Sequence, residues 1–254
     1  MDNFNFILDI QNVTYSINDI TYIDDITFCL KKGEHLIIFG PENSGANKLF
    51  DLIIQANRNY EGNILFKGES TKTLNYFGRL MYKRDIGYVH GDYGLLSNMT
   101  VEQNISLPLE YHSYLSAPEI KEHVETIIYL LNLNHCKNLR PIDLTGSDIL
   151  KTAFAREIAT DPDLLYIEHA FENQCPLNIK RITDFLTTRY ERHNKSLIII
   201  TYSPQDFIDI SDSFIMFFNG KIVFSGGRED FLNSDNPYLV QYKNNSIAGP
   251  MVIL

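Results

Sequence analysis

The stretch Gly40-Pro41-Glu42-Asn43-Ser44-Gly45-Ala46-Asn47-Lys48 decides how this chain is read. It follows an apolar run, Leu36 to Phe39, and precedes a helix-like run, Leu49 to Ala56. Buried strand, glycine-bounded loop and helix in succession are the context of a phosphate-binding loop, in which N–H groups at the helix N-terminus face an anion. The nucleotide-binding form reads G-x-x-x-x-G-K-[ST]. Gly40 and Gly45 hold the two glycine places, but Ala46 stands where the lysine belongs and Asn47 where the magnesium-holding hydroxyl belongs. The expected cradle, Gly40, Ser44, Gly45, Ala46 and Asn47, therefore has the scaffold without its two chemical groups.

Outward from the loop, periodicity predicts the rest. Ile7 to Ile10 and Ile26 to Leu30 read as short strands, and His35 to Phe39 as a strand buried on both faces. Gly62 to Gly68 and Ile86 to Val89 continue the series. From Asp92 to Thr160 the character is helical: Ile120, Val124, Ile127, Ile128 and Leu131 share one face, with Pro118 at a helix start. A second helix, Ile149 to Ala159, opens after Thr145-Gly146-Ser147-Asp148. Leu164 to Ile167 and Leu197 to Thr201 are apolar strands flanking a helical stretch around Ile179 to Tyr190, an alternation that predicts a parallel, doubly wound core. Asn219-Gly220 joins 214–218 to 221–225 as a hairpin. Residues after about Asn236 are polar without periodicity, and end in apolar Met251-Val252-Ile253-Leu254.

The 254 residues carry a net charge of -10, which argues against nucleic acid, since neutralising phosphates needs a surplus of Lys and Arg. Cys29, Cys136 and Cys175 are scattered, which fits a reducing compartment and gives no metal spacing. There is no signal-peptide pattern, and the apolar runs are too short to span a bilayer, so a soluble, cytoplasmic protein is expected.

The order of segments resembles the nucleotide-binding subunit of ATP-binding-cassette (ABC) transporters over nearly the whole chain. The glycine-bounded loop is similar to their Walker A. Ile86 to Gly91 sits where they read I-G-x-V-F-Q, and Leu144 to Asp148, L-T-G-S-D, where they carry L-S-G-G-Q. Ala155 to Ala159 is similar to their A-R-A-[IL]-A, and Asp161 to Leu165 leads into Walker B. Glu168 to Pro176, E-H-A-F-E-N-Q-C-P, and the tail Val240-Gln241-Tyr242 with Ile247 to Pro250 resemble the Mla-type ATPases of MCE-associated phospholipid transporters.

That resemblance implies an α/β, P-loop NTPase-like cassette. It has a mainly parallel core sheet, an N-terminal antiparallel β subdomain and an inserted helical subdomain at about 92–160. The nucleotide-binding domain spans 1–235, and 236–254 is a tail that reaches a partner. It also implies roles that the residues have lost. Glu168 holds the magnesium-orienting place and His169 the place of the glutamate that polarises water. Tyr202 replaces the switch histidine, Gly91 the Q-loop glutamine and Cys175 the D-loop aspartate. In the signature segment Thr145 and Gly146 remain useful, Ser147 replaces a glycine, and Asp148 is expected to satisfy the N–H groups of the helix start and repel a phosphate. Asn43 replaces a family glycine, and Lys48, two residues on from the lysine place, is expected to point away from the loop, about 200° round the helix. By spacing the adenine-stacking place falls on Ile17, with Tyr15 and Tyr22 nearby.

The expectation is a degenerate cassette, a pseudo-ATPase with no intact catalytic residue and no metal. It has no cofactor unless ATP and Mg2+ still bind the degenerate site. Its partners would be a membrane permease and a second cassette, itself or an active paralogue, reached through the tail, with the complex peripheral on the inner membrane. The alternatives are a soluble scaffold that kept the fold and a weak ATPase with a rebuilt site.

Overall fold

In a computed structural model, which describes residues 5–55, 57–112 and 115–252, two sheets carry the chain. The first is antiparallel. Strands β1 (Phe6–Ile17) and β2 (Ile20–Lys31) pair with each other, β1 pairs with β4 (Glu61–Phe66), and β4 with the two-residue β5 (Glu69–Ser70). Alternating burial along β1, with Leu8, Ile10, Val13 and Tyr15 inward, is the period-2 pattern of a sheet with one dry face.

The second sheet has the order β10-β9-β3-β8-β7-β6. Its strands are β3 (His35–Phe39), β6 (Ile86–His90), β7 (Leu164–Glu168), β8 (Ser196–Thr201), β9 (Ser213–Phe218) and β10 (Lys221–Gly227). They pair in parallel except for the β9–β10 hairpin. β3, β7 and β8 are buried throughout, as their unbroken apolar runs require. One face, with Ile37, Phe39, Val89, Ile167 and Ile199, packs on the helical side. The other, with Leu36, Ile38, Tyr166, Ile198 and Phe217, packs on the antiparallel sheet and on helix α1 (Ala46–Ile53).

Helix α2 (Tyr76–Arg84) precedes β6, and α3 (Val101–His112), α4 (Ala117–Leu130) and α5 (Gly146–Ile158) fill the chain between β6 and β7. Their starts are chemically set. The Asn75 side chain accepts from Gly78 N, the Glu119 carboxylate from Ser116 N, and the Thr145 hydroxyl from Asp148 N. Helix α6 (Pro176–His193) links β7 to β8, and the short α7 (Arg228–Asn233) and α8 (Pro237–Lys243) close the chain.

Two features differ from the sequence reading. The tail is not without structure: Asn236 accepts from the N–H groups of Tyr238 and Leu239 and starts α8, too short a helix to show a period. The apolar end expected to lie on a partner instead turns back at Met251, whose side chain joins the protein's own core. The buried Gln241 side chain holds this turn, donating to Met251 O at 2.9 Å and accepting from Met251 N at 2.8 Å. Val252 is exposed, and Ile253 and Leu254 lie outside the described residues.

Candidate functional site

The strand order explains which residues meet. Because β3, β8, β7 and β6 are neighbours and parallel, the segments that leave their carboxyl ends line up along one sheet edge. These are Gly40 to Asn47, Tyr202, His169 and Gly91. Signature residues Thr145, Gly146 and Ser147 stand apart at the start of α5, and Cys175 just before α6, where its carbonyl accepts from Asn178 and Ile179 N.

The loop keeps its backbone shape. Asn43 adopts φ 57°, a left-handed conformation that asparagine tolerates better than most residues, so the change from glycine has not unfolded the turn. Gly45 has φ 99°, and a Cβ there would lie 2.2 Å from Tyr22 O. A Cβ on Gly40 would lie 2.2 Å from Phe217 O. The two glycines therefore remain obligatory for packing. The lysine place is different: Ala46 is buried among apolar residues. Lys48 Nζ lies over the Tyr22 ring, 5.6 Å from its centre. Of the three aromatic-stacking positions, Tyr15 is buried and Ile17 exposed, and Tyr22 lies against the loop.

The cavity between the loop and the ends of β7 and β8 measures about 30 Å³ and is lined by Gly40, Ser44, Ala46, Asn47, His169 and Tyr202 among others. That is room for about one or two waters.

Glu168 and His169 are held by partners the sequence did not reveal. Glu168 is buried and accepts the Tyr88 hydroxyl at 2.7 Å. Burial raises the Glu168 carboxyl above its usual range, against the lowering effect of that bond. Burial and the Glu168 carboxylate likewise raise the Tyr88 hydroxyl. Tyr88 in turn stacks on Phe50 of α1, with ring centres 3.5 Å apart. His169 has φ 52° and donates its backbone N–H to Ile200 O. Its ring stacks on Tyr202, centres 4.3 Å apart, and its Nδ1 lies 3.0 Å from Glu172 Oε1. The same oxygen accepts from Thr201 Oγ1 at 3.3 Å and Tyr202 N at 3.1 Å. Although burial pushes the Glu172 carboxyl up, these donors, His169 foremost, hold it below its usual value. At Gly91 a Cβ would lie 2.9 Å from His169 O.

Asp148 does not act as expected. Its carboxylate turns inward: Oδ2 accepts from Thr145 Oγ1 at 2.7 Å and lies 3.3 Å from His135 Nε2, and Oδ1 lies 3.4 Å from Lys151 Nζ. Burial raises the Asp148 carboxyl, but Thr145, His135 and Lys151 together bring it below its usual value. With a lysine and a histidine at hand, the buried carboxylate takes them in preference to the helix N–H groups.

Sequence reasoning missed Tyr88, Glu172 and Tyr242. Tyr88 and Glu172 lie within quoted motifs, but only the strand order shows that Tyr88 meets Glu168 and that Glu172 meets Thr201 and Tyr202. The hydroxyl of Tyr242, in α8, donates to Tyr202 O at 2.8 Å and Gly40 O at 3.2 Å, across a fold-level distance no local pattern encodes.

A family model described as "ABC transporter" matches residues 23–171, more than half of the chain. The chain belongs to the ABC transporter family. The cassette is 24% identical over 245 residues to an intermembrane phospholipid transport system ATP-binding protein, MlaF, of Haemophilus influenzae, covering 96% of this chain and 93% of that protein. It is 22% identical to the Escherichia coli K12 protein of that name, covering 96% and 91%. A sulfate/thiosulfate import ATP-binding protein, CysA, of Synechocystis is 26% identical over 87% of this cassette and 61% of its own length. In fold the cassette is similar to cbiO1 from Clostridium perfringens, part of the ABC transporter complex cbiONQ (TM-score 0.81, 21% identity, 95% of each chain). It is also similar to the ATP-binding cassette MJ0796 in its dimer bound to ADP and Pi (TM-score 0.79, 21% identity, 87% of this chain and 98% of that one). Both likenesses concern the fold.

Proposed function

We propose that this cassette does not hydrolyse ATP and serves a structural or regulatory role in a lipid-transporting ABC assembly. One arrangement supports this reading above the others. The Glu172 carboxylate gathers the His169 ring, the Thr201 hydroxyl and the Tyr202 N–H, so the residues at the water-polarising and switch places are bonded to the protein's own anion. Phosphoryl transfer is positioning plus charge neutralisation, and here the loop offers Ala46 where a cation is needed. A magnesium triphosphate does not fit these residues. Ala46 and Asn47 stand where a cation and a magnesium-holding hydroxyl are needed, and Glu168 is engaged by Tyr88.

The phospholipid cargo is suggested by the printed names of the MlaF relatives, and the permease and second-cassette partners by the family. Among the described residues no helix is long and apolar enough to cross a membrane, so attachment would be peripheral, on the cytoplasmic face of the inner membrane through a permease. Ile247 and Val252, exposed on either side of the buried Met251, offer a second cassette an apolar contact.

A second reading has one observation in its favour. A histidine whose Nδ1 is oriented by a carboxylate, leaving Nε2 available, is the arrangement of a general base. Purified cassette, with an MlaF protein as positive control, should show no phosphate release above background. Turnover that disappears in His169→Ala would replace the first reading with the rebuilt-site one.

A further inference from the structure

The scattered cysteines gave no metal spacing in the sequence, yet the fold brings one of them to a histidine and a carboxylate. His135 and Cys136 follow α4, and Asp148 lies in the first turn of α5. One ligand atom from each of the three lies within 4.8 Å of the others. We propose that His135, Cys136 and Asp148 form a zinc site at the start of α5.

The set lies within a small shift of that ion's geometry, and one pair already has its spacing. Zinc bonds of about 2.0–2.3 Å to N, O and S put neighbouring ligands of a tetrahedron roughly 3.3–3.7 Å apart. His135 Nε2 and Asp148 Oδ2 are already 3.3 Å apart. A thiolate, an imidazole and a carboxylate together favour zinc over magnesium or calcium, which take oxygen ligands. The two inner ligands are placed by the core: Cys136 and Asp148 are buried, and Cys136 N donates to Leu133 O at 3.0 Å. His135 is exposed, so the metal enters from solvent and a water completes the fourth position. The supporting contacts of a metal carboxylate are also present. The Thr145 hydroxyl and Lys151 both orient the Asp148 carboxylate, Lys151 from the oxygen away from His135. On binding, the Cys136 thiol loses its proton to solvent, and thiolate and carboxylate together balance the two charges of the ion. Zinc there would tie the segment after α4 to Thr145-Gly146-Ser147, independently of whether the cassette hydrolyses ATP.

Cobalt(II) serves as the optical probe. In a Cys29→Ser/Cys175→Ser variant, Cys136 is the remaining thiol. Titration should give a thiolate-to-cobalt charge-transfer band that saturates at one equivalent, is displaced by zinc, and releases one proton per metal. His135→Ala in that background, at an exposed residue, should weaken cobalt binding by at least about tenfold. Cys136→Ser should remove the band, and circular dichroism reports whether this buried variant is folded. Absence of a band at one equivalent, or a band unaltered by His135→Ala, overturns the proposal.

Discussion

The hydroxyl of Tyr242 donates to the carbonyl of Gly40 at 3.2 Å, so the last helix is fastened to the first glycine of the phosphate loop 202 residues earlier. The same hydroxyl donates to Tyr202 O, and the Tyr242 ring packs on Phe39 with centres 5.4 Å apart. The C-terminal helix is thus tied to the backbone of two residues that line the site. Tyr242→Phe keeps the ring and removes the donor, and should lower unfolding free energy by about 1 kcal/mol in urea titration.

The tail should matter to the single chain before it matters to any assembly. Met251→Ala removes a buried side chain, at a residue whose backbone Gln241 holds in place, and is expected to cost about 2–5 kcal/mol. Truncation after Tyr242 removes Met251 from the core and should therefore destabilise the domain. Ile247→Asp, at a side chain 98% exposed, should leave stability within about 0.5 kcal/mol and weaken association with a second cassette, measured by light scattering or co-purification.

Glu168→Gln tests the buried carboxylate. Burial raises the Glu168 carboxyl, so the protonated form is the one the fold favours. That preference contributes stability in full below the unfolded carboxyl pKa, about 4.3, and it is lost as pH rises through the higher folded value. The glutamine variant, always neutral, should melt at a higher temperature than the parent at pH 7. The two should converge in acid. A parent that is the more stable of the two at pH 7 would mean that the ionised carboxylate, with its Tyr88 bond, is the favoured form.

Ala46→Lys with Asn47→Thr should recover nucleotide binding, seen with a fluorescent ATP analogue, because the loop backbone retains Gly40, the left-handed Asn43 and Gly45. It should not recover hydrolysis, because His169 remains bonded to Glu172. Phosphate release in this variant at the rate of an MlaF protein would contradict that account.

The fold was legible in the sequence where burial writes a pattern. The unbroken runs of β3, β7 and β8, the Asn219-Gly220 turn and the periodic face of α4 were each readable from a few residues. Helices with weaker patterns were not: α3 carries Pro108 inside it, and α7 and α8 are about two turns long. At the site, the identities of Ala46, Asn47, His169 and Tyr202 were readable as local facts. The contacts around them were not, because Tyr88 and Glu168 lie 80 residues apart and Tyr242 and Tyr202 lie 40 apart. The inward turn of Asp148 was hidden for the same reason: its choice of Lys151 and His135 over the helix N–H groups depends on burial, which adjacent residues do not specify.

Gly91 and His169 constrain one another through the backbone. A side chain at 91 would put its Cβ 2.9 Å from the carbonyl of His169, against backbone that cannot swing aside as a side-chain tip does. Gly91→Gln is thus disfavoured for as long as residue 169 keeps its left-handed conformation. A Gly91→Gln variant should therefore be less stable than the parent, and a change that moves the backbone at 169 should relieve that cost. The main chain of residue 169 thus limits what residue 91 can be, and a side chain can be added at one position only together with a backbone shift at the other.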